Sequence, residues 1–179
     1  MKKYLHIALM LLCVLALPAC GGDEVDTEAV EKEAYKLEQE IAFLEKANDP
    51  NYVKWESEAG DGYVFAKLIK KGNGKRAYFN SLVSVYYKGF FVDGKSFDAY
   101  QPEDGIPFRC SVSSYYANTY YTSVIDGWGV ALQHMVEGDI YEVWIPQELG
   151  YGEIDNGDIP ANSTLVFQIE LISVDLQAA

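Results

Sequence analysis

The chain has 179 residues, of which 49% are hydrophobic, 14% aromatic and 23% charged, and this composition is typical of a foldable domain rather than a disordered or collagen-like chain. Its 14 Lys and Arg stand against 27 Asp and Glu, so the formal net charge is −13. This charge would repel a nucleic-acid backbone and gives no attraction to an anionic membrane surface. The cysteines and histidines lack metal-ligand or C-x-x-C spacing, so we expect no metal, iron–sulfur or other cofactor.

The first twenty residues have the pattern of an export signal. Two lysines precede an apolar run from Leu5 to Leu17, which is shorter than the roughly 20 residues that span a bilayer. The ending Leu17-Pro18-Ala19-Cys20 resembles a bacterial lipobox. We therefore expect residues 1–19 to be a lipoprotein signal peptide and Cys20 to carry the lipid, with an ordinary signal peptide as the alternative. This interpretation predicts a cell-envelope location, lipid-anchored to a bacterial membrane, either periplasmic or outer-membrane.

Residues 20–50 are predicted to form an anchor linker followed by an acidic spacer helix. Asp26 or Thr27 can cap the start of this helix, and Pro50 lies just beyond its end. One apolar stripe recurs at helical spacing, made of Val30, Ala34, Leu37, Ile41 and Leu44. The stripe permits a short dimeric coiled coil, but packing against the chain's own domain explains the same pattern. Homodimerisation through the helix is therefore left open.

Residues 51–179 are predicted to form one domain of strands with a single short helix. Strands are predicted over Tyr63–Lys70, along the alternation around Val83 to Gly89, over Ile140–Ile145 and over Thr164–Val174. Asp93-Gly94 suits a hairpin turn. Gly127 to Glu137 carries apolar residues at helical spacing, with Gly138 as a C-terminal cap. This order predicts an α+β fold, in which one helix covers an antiparallel sheet.

Four stretches of the domain, taken together, resemble a known family. They are VYYKGFFVDGKSFD at 85–98, VIDGW at 124–128 with the helix after it, IPQELGYG at 145–152 and IPANSTLVF at 159–167. In order and spacing they resemble the FKBP-type peptidyl-prolyl cis-trans isomerases, over Ser81 to Val174. The resemblance implies an antiparallel, curved β-sheet wrapped on one short helix. It also implies isomerisation of X-Pro bonds, which would assist the folding of exported proteins.

The resemblance assigns an apolar pocket position by position. Its catalytic residues would be Asp98, Tyr151, Trp128 and Phe97, with Trp128 as the floor. Its substrate-binding residues would be Tyr87, Phe108, Val124, Ile125, Ile159 and Phe167, with the backbone N–H of Ile125 donating to a bound carbonyl. Such a pocket would act by desolvation and by preferential binding of a twisted amide. Proline-containing polypeptides are the implied partners, and macrolide-type inhibitors are implied as ligands.

Some of these residues also have simpler interpretations. Trp128, Phe97 and Phe167 could be ordinary core aromatics, and Asp98 could cap a turn after the hairpin. His134 has no partner at ligand or triad spacing, which disfavours both a metal site and a hydrolase.

Three features depart from the family pattern. Residues 111–123 form a longer connection, which holds Tyr115, Tyr116, Tyr120 and Tyr121. In the loop Glu153–Asp158 a histidine found in many compact members is absent, and Asp155 or Asn156 stands nearby instead. Cys110 occupies a position where an apolar residue is expected. The tyrosines support an alternative function, namely a non-catalytic lipoprotein that binds a proline segment or another ligand in a pocket with a tyrosine-rich rim.

Overall fold

The structure is a computed structural model that describes residues 26–57 and 62–177. The expected signal peptide and the lipidation site at Cys20 lie outside the described residues. Within the described ranges, no helix is both long enough and apolar enough to cross a membrane.

The predicted spacer helix is present as α1, Thr27–Leu44, and continues as a 3-10 turn over Glu45–Asn48. The Asp26 carboxylate caps it by accepting a hydrogen bond from the Ala29 N–H at 3.1 Å. The helix packs against its own domain, where the Phe43 ring lies 5.0 Å from that of Phe65. Its buried residues are Gln39, Ala42 and Phe43, so the docked face is rotated away from the predicted apolar stripe.

Within the described residues, seven antiparallel strands form one sheet. The strands are β1 (Val53–Glu56), β2 (Tyr63–Lys70), β3 (Ser81–Phe91), β4 (Ser96–Tyr100), β5 (Phe108–Ser111), β6 (Ile140–Ile145) and β7 (Leu165–Gln177). Their order is β1-β2-β6-β7-β3-β4, and β5 pairs with β3 beside β4. The long strand β3 pairs with β7 along its whole length and carries β4 and β5 on its other edge. The predicted α+β fold with an antiparallel sheet is confirmed.

A short helix, α2, spans Asp126–Leu132 and lies close against the sheet. Two glycines permit this approach. A Cβ atom on Gly127 would stand 2.3 Å from Cγ2 of Ile145, and one on Gly129 would stand 2.7 Å from the carbonyl oxygen of Val112. A side chain at Gly127 would therefore push α2 off the sheet, and one at Gly129 would push it away from the segment that follows β5.

The predicted continuation of α2 to Glu137 is wrong. The N–H groups of His134 and Met135 bond to carbonyls only three residues earlier, which tightens the chain and ends the helix. Val136 then pairs with Arg76 as an isolated bridge. Gly138, with φ 90°, forms the turn into β6 instead of capping a helix.

The core lies between α2 and the sheet, and most of its side chains are aliphatic. Cys110 is fully buried there, next to the strand pairing of β5 with β3. Burial raises the pKa of its thiol to about 12. The thiol therefore fills the expected apolar position as a small hydrophobic side chain.

Candidate active site

A cavity of about 650 Å³ opens at one end of the core. Strands β3, β4, β5 and β7, the start of α2 and the loop between β6 and β7 all contribute to its walls. All ten predicted pocket residues line it, namely Tyr87, Phe97, Asp98, Phe108, Val124, Ile125, Trp128, Tyr151, Ile159 and Phe167. Sequence reasoning did not assign the remaining four lining residues to the pocket, and these are Thr122, Ser123, Asn156 and Asp158.

Trp128 forms the floor of the cavity. It is only 3% exposed, and the edges of three neighbouring rings meet it at near-right angles. The ring centroids of Tyr87, Phe167 and Phe108 lie 5.0, 5.2 and 6.3 Å from its own. Edge-to-face packing of this kind is favourable and holds each ring in place. Trp128 is therefore both a core residue and a cavity residue, and the two interpretations of it do not compete.

The aromatic wall formed by Phe97 and Phe167 depends on a glycine in β3. Gly89 pairs with Asp98 on one side and with Phe167 on the other. A Cβ atom at this position would stand 2.7 Å from Cζ of Phe97 and 2.9 Å from Cε1 of Phe167. Without that atom, the two rings meet edge-on with centroids 5.6 Å apart.

The polar side of the cavity is built on a hydroxyl–carboxylate pair. The Tyr87 hydroxyl donates a hydrogen bond of 2.6 Å to Oδ2 of Asp98, and Oδ1 accepts one from the Ala99 N–H at 2.8 Å. Burial and the Asp98 charge raise the pKa of Tyr87, so this hydroxyl stays protonated. The hairpin turn is capped instead by Asp93, which accepts from the Lys95 N–H. Asp98 therefore holds the Tyr87 ring and does not cap the hairpin.

Two hydrogen-bond donors belong to residues that line the cavity. Ile125 precedes α2, and its carbonyl accepts from the Trp128 N–H at 2.9 Å, while its own N–H meets no acceptor among the described residues. Tyr151 is 39% exposed, and burial together with the Asp98 charge raises the pKa of its hydroxyl, although a hydrogen bond with Asn156 opposes the shift. Both groups can therefore donate to a bound carbonyl at neutral pH.

The loop Glu153–Asp158, which lacks the family histidine, places its two candidate residues differently. Asn156 lines the cavity, whereas Asp155 turns away and accepts a hydrogen bond from the Ala161 N–H at 2.8 Å. His134 lies outside the cavity and stacks on Trp55 at 4.7 Å. In the part of the chain that is described, no group of three or more His, Cys, Asp or Glu residues is placed to hold a metal ion.

The predicted tyrosine-rich rim is wrong. Of residues 111–123, only the last two before Val124 line the cavity, and the tyrosines do not. Tyr116 packs edge-on against Phe79, and the Tyr121 hydroxyl donates to Asp175 at 3.2 Å. These contacts hold the segment against neighbouring parts of the domain, away from the pocket.

Comparison with known proteins agrees with this geometry. The family model described as FKBP-type peptidyl-prolyl cis-trans isomerase matches residues 74–172. The chain is 35% identical to a Trypanosoma cruzi protein named macrophage infectivity potentiator, over 93% of this chain and 78% of that protein. It is 32% identical to the FKBP-type isomerase FkpA of Escherichia coli K12, over 78% of this chain and 49% of that protein.

One more relative and one solved structure extend the comparison. FkpA of Buchnera aphidicola is 31% identical, over 86% of this chain and 64% of its own length, so the chain spans about half to two thirds of the FkpA relatives. A crystal structure of a peptidyl-prolyl cis-trans isomerase from Pseudomonas syringae superimposes with a TM-score of 0.66 at 28% identity, over 87% of this chain and 100% of that one. The chain belongs to the FKBP-type peptidyl-prolyl cis-trans isomerase family.

Proposed function

We propose that the chain is a peptidyl-prolyl cis-trans isomerase that accelerates rotation about X-Pro bonds in exported polypeptides. The observation that carries this proposal is the cavity above Trp128. It combines a box of aromatic rings with a few polar groups among its lining residues. The proline ring has few rotamers to lose on binding and presents an apolar surface that such a box can cover.

The chemistry requires no nucleophile. Rotation of an amide crosses a barrier of about 18 to 20 kcal/mol, because the twisted state loses the resonance of the planar one. The planar amide places more charge on its oxygen, so transfer from water into an apolar cavity destabilises the planar form more than the twisted form. Each 1.36 kcal/mol of this difference accelerates rotation about tenfold.

The polar groups around the cavity would orient the substrate. The Ile125 N–H and the Tyr151 hydroxyl would donate to the carbonyls on either side of the proline. The 2.6 Å hydrogen bond between Tyr87 and Asp98 supports a role for the carboxylate in fixing one aromatic wall. Macrolide-type inhibitors would occupy the same box, and the test is whether they compete with a short X-Pro peptide for it.

The alternative function, binding without catalysis, was based on a tyrosine-rich rim of the pocket. The tyrosines of residues 111–123 do not line the cavity, so this support is removed. A direct test separates the two functions. Short X-Pro peptides with different residues before the proline are mixed with the purified full chain, and the rate of cis-trans exchange is measured. Acceleration that is insensitive to chelators supports the isomerase, whereas tight binding without acceleration supports the binding protein.

We further propose that the protein works in the cell envelope, anchored by a lipid on Cys20. The lipobox-like ending motivates this location, and a Legionella longbeachae relative with 38% identity is named an outer membrane protein. Growth with labelled palmitate should tag the wild-type protein and leave Cys20→Ser unlabelled. A wild-type protein that is exported without the label would contradict the anchor.

A further inference from the structure

The loop between β6 and β7, residues 150–164, supplies several cavity residues but has no strand or α-helix of its own. Tyr151 and Ile159 both line the cavity from it. Hydrogen bonds within the loop stabilise its conformation. The Asn162 N–H donates to the Gly152 carbonyl at 2.7 Å, and the backbone N–H groups of Asn156 and Ile159 each donate to the other residue's carbonyl. The loop is joined to the core through the Gly152 N–H, which donates to the Gln147 carbonyl at 2.9 Å, and through the buried side chain of Ile159. Contacts with α1 add to this support.

One line of support begins at Tyr35 on α1. Its hydroxyl lies 2.8 Å from Oγ of Ser163, and that Oγ donates to the Pro160 carbonyl at 2.7 Å. A serine hydroxyl has a single proton, so Tyr35 is the donor to Ser163. This chain of hydrogen bonds reaches from α1 to the residue next to the cavity wall at Ile159.

A second line of support comes from Gln39, one turn further along α1. Its side-chain Oε1 accepts from the Thr164 N–H at 3.2 Å, and its backbone carbonyl accepts from the Thr164 hydroxyl at 3.0 Å. Gln39 and Thr164 are only 4% and 2% exposed. Glutamine is rarely buried to this extent, and losing either partner would leave a buried polar group without a hydrogen bond.

Apolar packing between α1 and this loop is incomplete. A cavity of about 610 Å³ lies between them, lined by Phe43 and Leu149 at its apolar side and by Gly152 and Asn162 of the loop. A further direct contact is the exposed ion pair between Lys36 and Glu153 of the loop at 3.1 Å, and exposed pairs of this kind contribute little. The partly buried hydrogen bond of Tyr35 and the buried hydrogen bonds of Gln39 are therefore the contacts that we expect to contribute most.

We infer that α1 positions the loop 150–164 at the active cavity. Tyr35 and Gln39 are the positioning residues, and they hold the loop through their hydrogen bonds to Ser163 and Thr164. The inference rests on the proposed function, and neither residue lines the cavity. Tyr151 and Ile159 of the loop line the cavity and would contact a substrate in its planar and twisted forms alike. Loosening the loop removes uniform binding and raises KM, while kcat stays nearly constant.

The test uses the full chain with the double substitution Tyr35→Phe and Gln39→Leu. Losing one or two such hydrogen bonds should raise KM for a short X-Pro peptide about two- to tenfold, with kcat within about twofold. Backbone amides of Asn156, Ile159 and Asn162 should exchange hydrogen faster. The matched control is Glu28→Gln, which breaks the exposed ion pair with Lys32 on α1 and should change neither the kinetic constants nor the exchange rates.

The outcomes separate this inference from the proposed function. A wild-type chain that is inactive on every X-Pro peptide refutes the isomerase, and the exchange rates then still decide whether α1 supports the loop. An active wild type whose double variant keeps its KM, or its slow amide exchange in the loop, overturns the inference. A fall in kcat alone would also overturn it. If the double variant unfolds, Tyr35→Phe alone keeps the ring and applies the same test with a smaller expected change.

Discussion

Replacing Gly89 with alanine tests the aromatic wall with a single methyl group. In a strand with ordinary backbone angles, glycine to alanine is normally stabilising by about 0.4 to 1 kcal/mol, because the unfolded chain loses freedom. Here the new Cβ would stand 2.7 Å from the Phe97 ring and 2.9 Å from the Phe167 ring. Overpacking of this kind costs about 1 to 3 kcal/mol. The structure therefore predicts a destabilising change, opposite in sign to the ordinary expectation.

The displaced rings should also narrow the cavity. We expect Gly89→Ala to lower the free energy of unfolding by about 1 to 3 kcal/mol in urea denaturation and to raise KM for an X-Pro peptide at least about threefold. The double variant Gly89→Ala, Phe97→Leu removes the nearest clashing atoms and should recover part of the lost stability. A Gly89→Ala protein that is as stable as the wild type, with unchanged KM, would refute the described packing.

Four further predictions follow from the same geometry. Tyr87→Phe removes the hydrogen bond to the neighbouring carboxylate and should lower the free energy of unfolding by about 1 kcal/mol in urea denaturation. Tyr151→Phe removes one donor at the cavity edge and should lower kcat/KM by about tenfold or less in the peptide assay. Tyr115 and Tyr120 are 81% and 77% exposed and lie outside the cavity, so replacing both with alanine should leave KM within about twofold, and a larger change would restore the rim hypothesis. Burial raises the pKa of the Cys110 thiol from 9.0 to about 12. The unfolded thiol ionises first, so urea denaturation at rising alkaline pH should show the free energy of unfolding falling above about pH 9, and less steeply in Cys110→Ala.

The parts of the fold that sequence could predict are those with long, regular patterns. β2 and β6 have their predicted bounds, and α1 begins at Asp26, one of its two predicted caps. The short strands β1 and β5 were missed because four residues carry too little periodicity to distinguish a strand from a loop. The end of α2 was missed because the apolar spacing continues to Met135 while the backbone has already left the helix.

The predictable part of the site is the aromatic box, since its residues lie in motifs with fixed spacing. The docked face of α1 was not predictable in the same way. Hydrophobic periodicity selects Leu37 and Ile41, whereas the buried residues are Gln39, Ala42 and Phe43. Gln39 is hydrogen-bonded to the domain at both its side chain and its backbone. A polar residue at a buried position leaves no apolar pattern. The predicted tyrosine-rich rim was wrong for a related reason. The composition of a loop does not determine which side of the domain the loop packs against.

Isomerase activity is tested by the rate of X-Pro cis-trans exchange in a panel of short peptides with the purified full chain. Uncatalysed exchange takes tens to hundreds of seconds, so acceleration is easily resolved. We expect a rate above background for the wild type, almost independent of pH around neutrality. We also expect a large loss in Trp128→Leu, which keeps an apolar side chain but removes the floor of the aromatic box. A folded wild-type protein that leaves every peptide at its background rate would contradict the central claim.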